Sequence, residues 1–243
     1  MTRHVLISVA VLGAVASGTP ATRVSAADDL FARSRAMYAS LKSYADTATI
    51  DSEYGPPAGR VQERHTFKTY YRAPRHFYFD FVKQDNADRY VVWSDDEAFH
   101  SWWQATGAAD TYQKGEGASA FINGSIATMG SVSEIAALLF SQAGLSSTLL
   151  EVSALSPGGT ESVGGRPTQK LVGVAKSVYQ GTGHETNVRN VTVWIDPETL
   201  LIRKVVEDTP GGAEGNSRVT TTFVPQANPT LDDARFRFTP PAN

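Results

Sequence analysis

The chain has 243 residues, 22 Lys and Arg against 25 Asp and Glu, a formal charge of −3, and no cysteine. Mild acidity without a basic block excludes nucleic acid as a partner and an anionic membrane surface as a dock. The missing cysteine excludes disulfides and leaves no thiol to carry a lipid anchor.

Arg3 and His4 give a short basic start, Val5 to Gly18 an uncharged and mostly apolar run, and Val24-Ser25-Ala26 the small residues of a cleavage site. This pattern predicts a secretory signal peptide over 1–26, cut after Ala26. The apolar run is too short to span a bilayer comfortably, and no second one follows. The expected product is an exported protein, periplasmic and not an integral membrane protein, with a single domain over 27–243.

Asp28 or Asp29 is expected to cap a helix that runs to about Lys42, with Leu30, Met37, Tyr38 and Leu41 on one stripe. The period then changes to two. Tyr44, Ala48, Ile50 and Tyr54 share one face of a strand that ends at Gly55-Pro56-Pro57. Val61, His65, Phe67 and Tyr71 share a face of the next. A third strand sets Phe77, Phe79 and Phe81 against His76, Tyr78 and Asp80, and a hairpin links Arg89–Trp93 to Ala98–Trp103 through Asp95-Asp96. From Gly107 to Gly130 no period is visible, and a loop is expected. Ser131-Val132-Ser133-Glu134 matches a capping box, and Ile135, Leu138 and Leu139 follow at helical spacing. The 107–140 stretch is therefore read as a flexible lid that carries a short apolar helix. Further strands are expected at about 148–155, 168–178, 189–196, 200–207 and 217–224, with a tight turn at Asp196-Pro197-Glu198-Thr199. The class is mainly β (α+β): one large curved antiparallel sheet, an unclosed β-barrel with a helical lid.

Several segments in this order resemble the LolA/LolB superfamily of lipoprotein-localisation proteins. They are the first helix ending in Ser40-Leu41-Lys42-Ser43-Tyr44, the stretch from Phe67 through Arg72-Ala73-Pro74-Arg75 to Phe77, and Val91-Val92-Trp93-Ser94 leading to Trp102-Trp103. The Val193 to Thr199 hairpin and the closing Leu231 to Pro241 complete the set. The resemblance implies a LolA-like half-barrel that holds lipid or acyl chains in its cavity. The carrier proper has arginine immediately before the proline of the second-to-third strand turn. Here Ala73 holds that slot and Arg72 precedes it, so the expectation is the broader ligand-binding role.

The expected cavity residues are Ile50, Phe67, Phe77, Phe79, Phe81, Trp93, Leu138 and Leu139, with a plain packed core as the competing reading. The expected partner is a lipid or an acylated protein, with no cofactor. A signalling or interaction module that senses lipoproteins through an envelope protein is the alternative. The scattered histidines His65, His76, His100 and His184 lack metal-ligand spacing. No Gly-x-Ser-x-Gly elbow or phosphate-binding glycine loop occurs, so no catalytic role is assigned to any residue.

Overall fold

The computed structural model describes residues 25–94, 98–114, 119–140, 145–178, 186–211 and 215–241. The proposed signal peptide up to residue 24, the Asp95-Asp96 turn and His184 lie outside them.

Helix α1 (Ala26–Ser40) starts one turn before the expected caps. Ser25 accepts from the Asp28 amide at 3.0 Å, and its hydroxyl donates to the Asp28 carboxylate at 2.7 Å. The first of these bonds satisfies the Asp28 amide at the helix start, and Ser25 takes the cap position expected of Asp28 or Asp29. The buried stripe is Ala27, Phe31, Ser34 and Tyr38, with Leu30 and Met37 on its flank.

Twelve strands among the described residues form one antiparallel sheet. They are β1 (Ser43–Tyr54), β2 (Val61–Arg72), β3 (His76–Lys83), β4 (Arg89–Ser94), β5 (Phe99–Gln104), β6 (Thr111–Lys114), β7 (Ser153–Val163), β8 (Arg166–Val178), β9 (Thr186–Ile195), β10 (Ile202–Thr209), β11 (Ser217–Phe223) and β12 (Gln226–Ala227). The order is β6-β5-β4-β3-β2-β1-β11-β10-β9-β8-β7, with β12 added on β1. The edge strands β6 and β7 are not paired to each other, so the barrel is unclosed. β7 carries Pro157, Gly158 and Gly159 and two register shifts, which blunt it as a template for another strand.

The 107–130 stretch departs from the expected loop. It supplies β6, paired on β5, and helix α2 (Ser119–Ala127). Helix α3 (Ser131–Leu139) follows from Gly130, which sits in the left-handed region at φ 83°. The capping box does not form. The Ser131 hydroxyl bonds the Thr128 carbonyl at 2.7 Å, and Glu134 reaches away to the Thr148 amide at 3.1 Å. Thr148–Glu151 is a helical turn, α4, so the strand expected from 148 starts at Ser153. The Asp196 turn forms as the sequence predicts, with the Asp196 carboxylate accepting from the Glu198 and Thr199 amides.

The helices lie on the concave face. α1 packs on β7, α2 on β4 and β5, α4 on β8, and α3 touches the other three. All nine residues of α3 are buried, so this segment is packed into the core between the other helices and the sheet. No helix among the described residues is long and apolar enough to cross a membrane.

The convex face is covered in part by the chain end. Phe236 is buried among Tyr78, Val91, Trp93 and Trp102. Arg72 holds this tail: its guanidinium pairs with Asp233 at 2.7 Å and lies 5.0 Å from the Phe236 ring centre. Asp80, behind the phenylalanine face, is buried by a two-pronged bond from Arg89 (2.7 and 2.9 Å) and an ion pair with Lys68 at 3.0 Å.

Candidate ligand-binding site

Alternation along β1, β2 and β3 turns every second residue toward the helices. Seven of the eight expected cavity residues meet there: Ile50, Phe67, Phe77, Phe79, Phe81, Leu138 and Leu139 share one core and are each at most 5% exposed. Register places Phe67 across from Phe81, and its ring centre stands 5.1 Å from that of Phe79. Trp93 is the correction. It is paired with Tyr78, whose side chain points to the face opposite Phe79, and so stands on the convex face among Phe236, Phe238 and Trp102.

Three aromatic residues complete the site that patterning did not select. Phe99 opens β5, Phe121 lies on α2 and Phe140 ends α3. Their rings surround Phe77 at 6.3, 5.3 and 5.5 Å. The interior is thus filled by aromatic side chains contributed from both layers. The sheet is locked by its ladder. The helices attach through side chains, such as the Tyr90 hydroxyl donating to the Ala120 carbonyl at 2.8 Å.

Two buried acids interrupt this apolar region. Asp46 on β1 accepts from the Tyr44 hydroxyl at 2.8 Å, and burial pushes its carboxyl up to about 6. Glu134 on α3 is pushed up to about 8 by burial and then by the nearby charge of Glu207. Around it Thr148 donates to Glu207 at 2.7 Å, and Arg189 is shared between Glu207 (3.0 Å) and Glu151 (3.1 Å). The histidines are dispersed. His65 is buried beside Phe81, His76 packs on Phe236, and His100 stacks on Trp93. Among the described residues no three His, Asp or Glu side chains gather to hold a metal.

No family model matches the chain, and no curated protein matches it by sequence. Solved structures do. The Mycobacterium tuberculosis lipoprotein LppX aligns at 16% identity over 84% of this chain and 97% of its own, with a TM-score of 0.46. MucB of Pseudomonas aeruginosa, solved in complex with MucA, aligns at 14% identity over 88% and 62%, TM-score 0.45. A LolA superfamily protein from Nitrosomonas europaea aligns at 9% identity over 88% and 99%, TM-score 0.33. The unclosed antiparallel sheet with helices packed across one face stands on the strand order and packing described above.

Proposed function

We propose that this chain is an exported, periplasmic binding protein that carries a lipid, an acyl chain or the acylated end of a protein against its concave face, under α2 and α3. The observation that supports this reading is the face itself: adjacent strands of an unclosed sheet line up Phe67, Phe77, Phe79 and Phe81 beneath short helices that take no part in the ladder.

The closed interior is filled, so a ligand must take the place of side chains. Val132, Ile135, Leu138 and Leu139 are the large apolar residues that α3 buries, and each such burial is worth roughly 1.5–3 kcal/mol. A chain of about twelve methylenes removed from water gains about 0.8 kcal/mol per methylene, on the order of 10 kcal/mol in all. The two quantities are of the same size. Exchange of these side chains for ligand is then near balance, as reversible carriage requires. No cofactor and no covalent step enter.

The test is native mass spectrometry of the exported protein, followed by organic extraction. A stoichiometric lipid or acylated species supports the reading. A bare mass, with no neutral apolar dye taken up in solution, removes it. The exposed edge strand β6 favours the second reading, an interaction module: Tyr112 is 50% exposed there, and Ile122 on the neighbouring α2 is 67% exposed. A stable protein partner without lipid in the same experiment selects that reading.

A further inference from the structure

One end of the concave face is polar, where β1 stops and β2 begins. Glu63 on β2 stands directly across from Ser52 on β1, Ser52 across from Val219 on β11, and Val219 across from Glu207 on β10. Neighbouring strands lie about 4.8 Å apart, so along a single row Glu63 stands next to Ser52 and Glu207 stands roughly 10 Å away on its other side, beyond Val219. His65 is one inward-facing step deeper on β2, across from Ile50 and with its ring centre 5.4 Å from that of Phe81. Tyr54 and Val61 at the rim are 36% and 42% exposed, so the row lies one step inside the mouth.

Two atoms here are buried without a hydrogen-bond partner among the described residues: Ser52 Oγ and His65 Nδ1, in residues 3% and 0% exposed. The other ring nitrogen of His65 lies 3.2 Å from Glu63 Oε2, and Glu63 Oε1 accepts from the Tyr54 hydroxyl at 2.7 Å. A nitrogen facing a carboxylate oxygen carries the hydrogen, and in that tautomer Nδ1 is an acceptor. An unmet buried polar atom costs about 1–3 kcal/mol, which a ligand that met it would recover. Across the row, Glu207 is held by Thr148 and Arg189, and Arg189 is divided between Glu207 and Glu151. The polar end therefore presents acceptors and an excess of carboxylates.

We infer that this row seats the polar end of the bound ligand, and that this end is an uncharged or cationic hydrogen-bond donor, a hydroxyl or an ammonium, and not a carboxylate or phosphate. The inference rests on the carrier reading above and names the ligand class for the same site. The donor end bonds Ser52 Oγ and His65 Nδ1 between Glu63 and Glu207. The alkyl part runs inward over Ile50, Phe81 and Phe67, which follow directly along the same face.

The experiment titrates the full chain with the neutral dye N-phenyl-1-naphthylamine. The dye is then displaced with decylamine, decanol and decanoate near pH 7, each below its aggregation concentration. Decylamine and decanol are expected to displace the dye at concentrations at least about ten-fold lower than decanoate. In Ser52→Ala this margin is expected to shrink several-fold while dye and decanoate binding hold. In Glu63→Gln the decylamine-to-decanol ratio is expected to fall. Decanoate binding as well as the other two overturns the inference and leaves the carrier reading standing. An equal loss of all ligands in Ser52→Ala also overturns it. Absence of dye and ligand binding in the unaltered chain overturns both.

Discussion

Replacing Glu134 by Gln removes a buried proton from the seat of α3. Glu134 lies on α3 and faces Glu207 of β10, Arg189 of β9, and Thr148 and Leu149 of α4. Its carboxyl rises from an ordinary 4.5 to about 8, first by burial and then by Glu207. A carboxyl raised in the folded state stabilises fully below its unfolded value, and that stability drains away as pH climbs through the folded one. At about 1.4 kcal/mol per pH unit, the loss between pH 5 and pH 8 is on the order of 3 kcal/mol. The Gln variant keeps an acceptor for the Thr148 amide and carries no proton to lose. Urea unfolding of both proteins at pH 5, 6, 7 and 8 measures the difference. The unaltered chain should lose stability relative to Glu134→Gln with each step, most of it from the α3 region. Parallel curves for the two proteins would refute the reasoning, because Glu134 would then not be protonated in the folded state at pH 5 to 7.

Three further outcomes follow from the packing. Phe77→Ala empties the centre of the aromatic group that includes Phe99, Phe121 and Phe140 and should cost about 3–5 kcal/mol in urea unfolding. Gly124→Ala places a methyl 2.5 Å from Tyr90 Cε1; it should lower stability by about 1–3 kcal/mol and speed amide exchange in α2, where Tyr90 bonds Ala120. Arg72→Ala breaks a partly exposed pair with Asp233 and should cost no more than about 1 kcal/mol, yet free the tail enough for trypsin to cut at Arg235 and Arg237.

The strand faces were legible because period two is a strong signal where one face is buried: Ile50, Phe67, Phe77, Phe79 and Phe81 fall together by alternation alone. What covers each face was not legible. Tyr78 read as the side behind the phenylalanines and Trp93 as a cavity residue, but a tail more than 130 residues further along the chain closes over both, a pairing no local pattern encodes. Phe121 was lost in a stretch where Gly, Ala and Ser blur the helical period, and Phe99 and Phe140 sit at element ends where periodicity runs out. Glu134 misled for a physical reason. Its spacing from Ser131 is that of a capping box, but the amides it satisfies belong to α4, fourteen residues on. The polar row was visible as residue types and not as a site, since Glu63, Ser52 and Glu207 become neighbours through register across four strands.

Hydrogen exchange of the full chain, with and without a saturating apolar ligand, tests most directly that the ligand lies on the concave face beneath α2 and α3. The account predicts that ligand changes the protection of residues 119–139 and of the inward strands β1 to β3, and leaves the tail at 231–239 as it was. A bound ligand that alters the tail and leaves α2 and α3 unchanged would contradict it.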